Sequence, residues 1–551
     1  MEWKKVKVLY ALCAFFVFCF YIYQPLIFAG NINDEIKRIT ANLPFSFPQI
    51  SMPEFPDKYF DIKNYGAKGD GIFKNTEAIN KAIEECSSAG GGHVVIPAGL
   101  WLTGPIKLKS KVDLHLEKGA LVVFSSDHKD YNLISSGSAY VCESPISGTD
   151  VDNIAITGEG LFNGNGQTWR PVKKNKLTAS QWKALVSEGG VVDKDKSIWW
   201  PSQQAMNAEA YLAGKDKKKM TSYDYENVKD FLRPNLLHLN NCSKVLLEGF
   251  TLQNPPKFHL NASRCTEMII TNVKVMTDEW AQNGDGLDLS SCKNVVMFNC
   301  TVNAGDDGIC MKSSPVKGDI NALENIVISD CVVYHAHGGF VIGSNTDGGI
   351  KNISVRNCNF IGTDTGLRFK SNAGKGSRVS NVFIENVFMK DIRDEAITFD
   401  MTYENNAVGN TVNTKKDVAK IPDFQNFIIK NVICDGAGKA MLVAGVENIP
   451  ITKITLANSV FKTKNGMDLN FAQSFVFDDV KIYSANGPVF TADQCRNLQL
   501  INVAGSNDAP SFMKISGSKT EKISLEKVDL SGYKTPFEFL AGADKNAVIN
   551  K

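Results

Sequence analysis

The sequence lacks several features that would narrow its function at once, and each absence excludes a class of protein. Positive and negative side chains nearly cancel, with 60 Lys and Arg against 59 Asp and Glu and a formal net charge of +1. Proteins that bind nucleic acids or anionic membranes usually carry an excess of positive charge. The balanced composition therefore gives no support to either kind of binding. The 13 cysteines include no Cys-x-x-Cys pair, so the spacing of a structural zinc site is also missing.

Long helical patterns are scarce from the middle of the chain onward, where a short strand-like unit recurs instead. The unit consists of Asn or Lys, alternating apolar residues, and then Asn or Asp before Cys or Val. Its central apolar residues are Val245, Met268, Val295, Ile326, Ile353, Val382, Phe427, Ile454, Phe475, Leu498 and Ile523. Repeats of about 20 to 50 residues made of period-two strands are typical of β-solenoids, and the Leu-x-x-Leu-x-Leu signature of leucine-rich repeats is missing.

We therefore predict an all-β fold, a right-handed parallel β-helix, for residues 58–551. Such arrays extend as one cooperative unit, so one large domain is expected despite the length of the chain. Turn residues at matching places should stack as hydrogen-bonded ladders, and the candidates are Asn241, Asn299, Asp330, Asn357 and Asn431. Small buried thiols, rather than disulfides, are expected at four cysteines interpreted as one repeat position, Cys242, Cys300, Cys331 and Cys358.

The N-terminus has the charge pattern of an export signal. A basic start, MEWKKVK, precedes an apolar run from Val8 to Ala29. Residues 1–29 are therefore interpreted as a signal peptide or, because the run reaches roughly 20 residues, as a retained N-terminal membrane anchor. We expect an exported protein, periplasmic or extracellular, and anchored if this segment is not cleaved.

Three further segments lie outside the repeat. Residues 30–57 are proline-rich and are interpreted as a linker or an arm laid on the surface. A helix from about Thr76 to Cys86, capped near Asn75, should cover the open end of the solenoid. At 171–234 the repeat stops, and a Lys-rich stretch with Trp199 and Trp200 intervenes. Because insertions leave a solenoid from one face, often the binding face, this one is predicted to line a cleft.

Three carboxylates fall at equivalent places in two neighbouring repeats. Asp285 and the pair Asp306-Asp307 lie in segments broken by glycine, each followed by an apolar strand pattern. Adjacent residues of a strand face opposite ways, and Gly305 and Gly308 would allow the kink that turns both aspartates to one side. A solvated Asp-Gly turn explains any one such pair, but the recurrence favours acid/base chemistry.

Four motifs in order give the chain a resemblance to glycoside hydrolase family 28, the polygalacturonases and their relatives. They are Asn283-Gly284-Asp285, Asp306-Asp307, Ala336-His337-Gly338 and Arg368-Phe369-Lys370. The likeness covers most of the chain, from FDIKNYGAKGDG to GLRFKS. Gly284, Ala336 and Phe369 depart from the family's Asn-Thr-Asp, Gly-His-Gly and Arg-Ile-Lys without removing a titrating group. A second string, Asn345-Thr346-Asp347, falls out of motif order and is expected to be a surface turn.

The resemblance implies a hydrolase that cleaves galacturonic-acid linkages of pectin with inversion, and neither a cofactor nor a metal is expected. It implies Asp306 as general acid, with Asp285 and Asp307 activating water, and mutual repulsion should raise at least one carboxyl pKa. His337 would lie beside the acid, and Asp288 is a further candidate behind it. Substrate-binding roles are implied for Asn283, Arg368, Lys370 and Tyr403. Of these, Arg368 and Lys370 would bind a uronate carboxylate.

Two other functions stay open at this stage. A β-helix polysaccharide lyase would abstract a proton with Arg or Lys and recruit calcium through carboxylates. A noncatalytic β-helix, such as an adhesin or a tailspike-like binder, would share the fold without the chemistry. For a hydrolase, both homogalacturonan and rhamnogalacturonan remain possible substrates, and the insertion favours exo action. The expected partner is an acidic plant polysaccharide and no nucleic acid, and the chain is expected to act as a monomer.

Overall fold

The computed structural model describes residues 31–137, 139–216, 219–403, 420–506 and 509–550. The described residues up to Asn42 belong to a unit of their own, whose one helix is α1 (Ile32–Thr40). The side chain of Asn31 caps α1 by accepting a hydrogen bond from the Asn33 amide. The segment interpreted as a signal or anchor, 1–29, lies outside the described residues. Within the described ranges, no helix has both the length and the hydropathy needed to cross a membrane.

The unit from Leu43 onward is a parallel β-helix in which each coil adds a strand to each of three sheets. The first sheet contains β1 (Tyr59–Asp61), β3 (Gly92–Ile96), β6 (Val112–Leu116), β11 (Asp152–Gly158), β17 (Ser243–Glu248), β20 (Thr266–Thr271), β23 (Lys293–Phe298), β26 (Leu323–Ser329), the first parts of β29 (Ile350–Ile361), β31 (Arg378–Lys390), β33 (Asp423–Asp435), β35 (Ile451–Asn470) and β36 (Ala472–Asp493), and then β37 (Arg496–Ile501), β40 (Glu521–Glu526) and β42 (Val548–Asn550).

The second and third sheets complete each coil. The second contains β2 (Asp70–Lys74), β4 (Gly99–Thr103), β7 (Ala120–Phe124), β12 (Leu161–Asn163), β18 (Thr251–Gln253), β21 (Lys274–Met276), β24 (Thr301–Asn303), β27 (Val332–Tyr334), later parts of the five long strands, and β38 (Ala504–Gly505). The third contains β5 (Ile106–Lys107), β10 (Ile146–Thr149), β16 (Leu237–Asn240), β19 (Leu260–Ser263), β22 (Leu287–Ser290), β25 (Asp307–Lys312), β28 (Gly338–Ile342), β30 (Thr365–Lys370), β32 (Glu395–Asp400), β34 (Lys439–Ala444), the ends of β35 and β36, β39 (Met513–Ser516) and β41 (Phe537–Leu540).

The apolar residues at the centre of each repeat pair in register along the first sheet. Val245 pairs with Met268, Met268 with Val295, and the same row continues through Ile326, Ile353, Val382, Phe427, Ile454 and Phe475. Every member of this row is buried, because alternation along a strand sends the same positions of all coils into the core. The all-β parallel β-helix predicted from the repeat is confirmed.

An amide ladder follows one corner of the coils, as the repeat predicted. Asn357 donates to Asp330, Asn386 to Asn357 and Asn431 to Asn386, at 3.2, 3.0 and 2.9 Å between Nδ2 and Oδ1. The same four residues have φ between 54° and 57°, a left-handed conformation that asparagine and aspartate tolerate.

The register corrects the assignment of Asn241 and Cys242. These two residues precede β17, whereas Asn299 and Cys300 follow β23, so they occupy a different corner. Both corners use an Asn-Cys pair, and the sequence pattern alone did not separate them. The expected chemistry of the cysteines is confirmed, since all eleven described cysteines are free and buried.

The helix predicted near residues 76–86 is α2 (Thr76–Ser88), and it covers the first coil. Ile79, Ala82 and Ile83 are fully buried in the same core cluster as Val94 of β3. Asn75 is the N-cap residue, but its side chain makes no capping hydrogen bond. Its amide nitrogen instead donates to main-chain carbonyl groups, among them that of Phe73 in β2 at 2.8 Å. The predicted position of the cap is therefore confirmed, although the side chain does not cap the helix.

Residues 43–58 lie along the outside of the first sheet. The Phe45 ring is 6.0 Å from that of Phe383 in β31, and Glu54 exchanges two backbone-to-amide hydrogen bonds with Asn153 in β11. The segment therefore crosses several coils between these two contacts.

The insertion leaves the solenoid between β12 and β16. It holds β13 (Val172–Lys173), α3 (Ala179–Ser187), β14 (Val191–Val192), β15 (Ile198–Trp200), α4 (Gln203–Ala213) and α5 (Ser222–Glu226). The three short strands form an antiparallel sheet with β15 in the centre. A hairpin of β8 (Leu133–Ser136) and β9 (Ala139–Cys142) lies outside the solenoid sheets as well.

Candidate active site

Asp285, Asp306 and Asp307 come together where the chain enters two adjacent strands of the third sheet. Leu287 of β22 pairs with Ile309 of β25, so the segments that precede these strands stack on each other. One carboxylate oxygen from each of the three residues can be chosen so that all lie within 4.8 Å of one another. The convergence that the sequence predicted is therefore present.

The glycines beside these carboxylates are required for space. A Cβ atom at Gly305 would lie 2.5 Å from the carbonyl oxygen of Ala281, and one at Gly308 would lie 2.6 Å from Val333 Cγ1. Neither glycine has a left-handed φ. Glycine is therefore needed at both positions because neighbouring coils approach closely, and not for the backbone freedom that the sequence suggested.

Asp307 is buried and is held by the two cations that the sequence assigned to the substrate. Lys370 Nζ donates to Oδ2 at 2.8 Å, and Arg368 NH1 donates to Oδ1 at 3.2 Å. Burial opposes ionisation of Asp307, but the charges of Lys370 and Arg368 outweigh it and hold its pKa well below the ordinary value. Asp307 is therefore ionised and suited to accept a proton. Arg368 keeps further N–H groups for other acceptors.

Asp285 has the opposite electrostatic environment. Its Oδ2 accepts from Lys312 Nζ at 3.1 Å, whereas its Oδ1 is buried and has no hydrogen-bond partner among the described residues. Burial, together with repulsion from Asp288, Asp306 and Asp307, outweighs Lys312 and raises the pKa of Asp285 well above its ordinary value.

Asp288 lies beneath Asp285 and is fully buried. It forms an ion pair with Lys312, which therefore joins two acids of the cluster. Burial raises the pKa of Asp288 to about 6 in spite of this partner. The role predicted for Asp288, as a carboxylate behind the catalytic ones, thus has a physical basis, because Asp288 and Asp285 share the cation Lys312.

Asp306 is the most exposed of the three carboxylates. Its side chain is 19% exposed, against 5% for Asp285 and 3% for Asp307. Its Oδ1 lies 3.1 Å from His337 Nδ1, and its Oδ2 accepts from Asn283 Nδ2 at 3.4 Å. The raised carboxyl pKa that repulsion predicted is found at Asp285, where burial adds to the repulsion.

Tyr403 lies against the two basic residues. Its ring centroid is 4.9 Å from Lys370 Nζ and 5.6 Å from Arg368 Cζ, both within the range of a cation–π contact. The structure thus gathers all eight sequence-predicted site residues around one corner of the third sheet.

Two cavities adjoin this corner, and the insertion contributes to both. One of about 310 Å³ is lined by Lys176 of the insertion and by Trp280, His337, Asp364 and Arg393 of the β-helix. The other, of about 260 Å³, is lined by Asn283 and by the insertion residues Lys173, Trp200, Phe231 and Arg233. His337 and Asn283, which both contact Asp306, therefore each line a cavity with aromatic and basic walls.

The same carboxylates are spaced closely enough to ligate a hard cation such as calcium. However, Lys312 already pairs with Asp285, and Lys370 and Arg368 already pair with Asp307. The donor set fits a neutralised acid/base cluster better than a calcium site. This argues against the lyase alternative, which depends on such a site.

Sequence reasoning missed four charged residues around the cluster, namely Lys176, Arg233, Lys312 and Asp364. Lys312 had a signal, because Ile309 and Met311 of β25 point into the core and alternation sends Lys312 outward. Lys176 and Arg233 lie in the insertion, which has no repeat to place them.

The second Asn-Thr-Asp string does enter a turn, in which the Gly349 amide donates to the Thr346 carbonyl at 3.0 Å, but of its three residues only Asn345 is exposed. Thr346 is fully buried, and its Oγ1 lies 3.1 Å from Ser371 Oγ. The string stays outside the carboxylate cluster, as its place in the motif order indicated.

A parallel β-helix that places one carboxylate with a raised pKa and one with a lowered pKa beside basic side chains is typical of a class of carbohydrate-active enzymes. A family model described as "Glycosyl hydrolases family 28" matches residues 173–465, more than half of the chain. The chain belongs to glycosyl hydrolases family 28, as the four motifs predicted. It is therefore a glycoside hydrolase. A second model, "Rhamnogalacturonase A/epimerase, pectate lyase-like", matches residues 59–120.

Curated and solved relatives agree with this assignment. The chain is 28% identical over 407 residues to an exo-poly-alpha-D-galacturonosidase of Dickeya chrysanthemi, which covers 70% of this chain and 64% of the relative. It is 26% identical over 393 residues to an endo-polygalacturonase of Pectobacterium carotovorum subsp. carotovorum, covering 70% and 83%. A solved exopolygalacturonase from Thermotoga maritima aligns with a TM-score of 0.63 and 25% identity, over 82% of this chain and 96% of that chain.

Proposed function

We propose that the chain hydrolyses the linkages between galacturonic-acid residues of pectin, with the inversion at the anomeric carbon that the family resemblance implies. The carboxylate oxygens lie within 4.8 Å of one another, closer than the roughly 6.5 to 9.5 Å usual in inverting enzymes, so inversion rests on that resemblance and not on the carboxyl separation. The observation that carries this proposal is the contrast among three neighbouring carboxylates. Inverting hydrolysis needs one carboxyl that gives a proton to the leaving oxygen and another that takes a proton from water. Asp307 is held ionised by Lys370 and Arg368. Asp306 is half-buried and contacts His337 and Asn283, each of which lines one of the two cavities.

Asp306 acts as the general acid in this proposal. It protonates the glycosidic oxygen as the bond to the anomeric carbon breaks, and Asp307 takes a proton from the water whose oxygen forms the new bond. Exposure favours Asp306 over Asp285 for this role, because the acid has to reach a sugar oxygen. Asp285 keeps a proton through its raised pKa, and carboxyls this close titrate as a unit, so Asp285 can return a proton to Asp306.

An acidic sugar fits the charges around the cluster. Arg368 and Lys370 lie at its edge, and Arg393 lines the cavity beside His337. The names of the curated relatives, an exo-poly-alpha-D-galacturonosidase and an endo-polygalacturonase, support polygalacturonate over a neutral polymer. We propose homogalacturonan ahead of rhamnogalacturonan on the same ground.

We also propose exo action. Lys176 and Arg233, from the two ends of the insertion, both reach residues that contact Asp306. Because the insertion approaches Asp306 from both sides, it narrows the substrate groove toward a pocket. A pocket binds the end of a polysaccharide chain, which is what exo cleavage requires. The endo-polygalacturonase relative makes internal cleavage the competing outcome.

The decisive test is Asp306→Asn assayed on polygalacturonate and on rhamnogalacturonan. We expect kcat on polygalacturonate to fall about 1,000-fold with KM little changed, since a general acid contributes on the order of 100 to 10,000-fold. Asp195→Asn, an exposed residue of the insertion, is the matched control. A variant at Asp306 that retains the wild-type rate would overturn the assignment.

Product sizing during the same reaction separates exo from endo action. Exo action releases monomer or one short product from the first minutes, whereas endo action produces a ladder of oligomers. An early ladder would contradict the exo proposal and leave the hydrolase assignment intact.

We further propose that the protein is exported and acts as a monomer. The basic start followed by the apolar run from Val8 to Ala29 supports export. Cell fractionation with and without residues 1–29 tests it, and retention of the full chain in the cytoplasm would contradict it.

A further inference from the structure

We infer that Lys176 and Arg233 are positioning residues that orient Asp306 through His337 and Asn283. Neither belongs to the four motifs, and they come from opposite ends of the insertion. The inference rests on the proposed role of Asp306 as general acid. It extends that proposal by giving the insertion a function in the chemical step.

Lys176 determines which nitrogen of His337 carries the proton. Its Nζ lies 3.4 Å from His337 Nε2, and an ammonium group can only donate, so Nε2 has to accept. The ring proton is then on Nδ1, which lies 3.1 Å from Asp306 Oδ1 and donates to it. Lys176 thus selects the tautomer in which His337 can hold Asp306.

Asp364 opposes this selection more weakly. Its Oδ2 lies 3.8 Å from His337 Nε2 and would favour a proton there. Arg393 NH1 lies 2.7 Å from Asp364 Oδ1 and offsets its charge. Among the described residues, Lys176, Asp306 and Asp364 are the charged groups that contact the His337 ring, and the nearer contact at Nε2 is that of Lys176.

Arg233 fixes Asn283 in a corresponding way. Its NH2 group donates to Asn283 Oδ1 at 2.8 Å, and its NH1 group donates to the Gln282 carbonyl at 2.7 Å. Because the amide oxygen faces Arg233, the amide nitrogen faces Asp306 and donates to Oδ2 at 3.4 Å. A reversed amide would place two oxygens against each other.

The four contacts hold the Asp306 carboxyl from both sides. Each of its oxygens accepts one N–H group, which leaves the remaining lone pairs for the acidic proton. Contacts of 3.4 Å are long for hydrogen bonds, and catalytic contacts of this kind tighten in the substrate complex. A misplaced acid transfers its proton poorly while the substrate still binds, so the loss should appear in kcat.

The first experiment compares Lys176→Met with Lys176→Arg and with Lys183→Met, an exposed residue of α3 in the same insertion. We expect Lys176→Met to lower kcat about tenfold, the equivalent of one hydrogen bond of about 1.4 kcal/mol, with KM within about twofold. The kcat–pH profile of Lys176→Met should also shift. Lys176→Arg should recover part of the lost rate, and Lys183→Met should have the wild-type kcat and pH profile. A rise in KM alone, with an unchanged pH profile, would mean that Lys176 binds the sugar directly and would overturn the inference.

The second experiment is a double-mutant cycle, which tests whether each cation acts through its named partner. Lys176→Met should cost nothing further in a His337→Ala background, and Arg233→Met should cost nothing further in an Asn283→Ala background. Additive losses would overturn the inference. If Arg233→Met fails to fold, the Lys176 cycle alone decides, because Lys176 is half-buried and not part of the core.

The two proposals fail in different ways. Retained activity in Asp306→Asn would refute the role of Asp306. An inactive Asp306→Asn together with wild-type kcat and pH profiles for both cation variants would refute only the positioning role.

Discussion

Lys370 and Asp307 form a buried ion pair, with Nζ 2.8 Å from Oδ2 and side chains 6% and 3% exposed. Burying two charges costs desolvation, so such pairs add little to stability compared with apolar residues. The position of this pair beside Asp285 and Asp306 indicates that it serves proton chemistry instead. Lys370 keeps Asp307 ionised, whereas the pKa of the neighbouring Asp285 is raised well above its ordinary value.

Replacing Lys370 with Met should move the acidic limb of the kcat–pH profile to higher pH. The Lys370 charge lowers the pKa of Asp307, so its removal raises that pKa. A base works only when ionised, and activity should then be lost at a higher pH as the solution is acidified. Profiles from pH 3 to 8 check this, with Lys430→Met, an exposed residue of β33, as control. An unmoved acidic limb would show that Asp307 is not the base.

Asp288 should make the folded protein less stable as the pH rises. Its pKa is raised to about 6, above the value of about 3.9 in an unfolded chain, so the folded state binds the extra proton between these values. Stability linked to this group is therefore present at low pH and falls as the pH rises through the window from about 4 to 6. Asp288→Asn cannot titrate and should lack this loss.

The corresponding measurement is the melting temperature of wild type and Asp288→Asn at pH 4.5, 6 and 7.5. The difference, variant minus wild type, should become more positive with pH, whereas the exposed control Asp195→Asn should show a constant difference. A constant difference for Asp288→Asn would contradict the raised pKa.

The fold could be predicted from the sequence because the repeat has physical causes that act locally. Apolar anchors such as Val295 and Ile326 recur because each coil must fill the same core position, and asparagines such as Asn357 recur because each corner needs a left-handed residue. Asn241 and Cys242 were misassigned because an Asn-Cys pair also occurs at the other corner, as Asn299-Cys300.

The site was predictable only as far as the repeat reaches. Asp285, Asp306, His337 and Arg368 lie on successive coils, so motif order implied their proximity. The pairing of both cations with Asp307 depends on side-chain direction at one corner, which residue spacing does not specify. Lys176 and Arg233 reach the site through tertiary contacts of the insertion, and these leave no periodic pattern.

Chelation should not affect activity. Lys312, Lys370 and Arg368 supply the positive charge that a metal would otherwise bring to Asp285 and Asp307. We expect the rate on polygalacturonate to be the same in excess EDTA and in excess calcium. The products should be saturated reducing ends without ultraviolet absorbance. Chelator-sensitive formation of absorbing, unsaturated products would instead identify a lyase.

Asn386 offers a test of the amide ladder away from the catalytic corner. It donates to Asn357 at 3.0 Å and accepts from Asn431 at 2.9 Å, with a φ of 56°. Alanine at this position loses both hydrogen bonds and strains the left-handed backbone, whereas glycine loses the hydrogen bonds without the strain. We expect Asn386→Ala to lower the free energy of unfolding by about 3 kcal/mol, from an unpaired amide and the strain together.

Asn386→Gly should be less destabilising than Asn386→Ala by about 0.5 to 1 kcal/mol, because part of the relieved strain is offset by the greater freedom of glycine in the unfolded chain. Urea denaturation of the two variants and the wild type measures both differences. If the glycine variant unfolds at the wild-type midpoint while the alanine variant does not, asparagine is present for its backbone conformation alone. Equal losses in both variants would instead assign the whole effect to the hydrogen-bonded ladder.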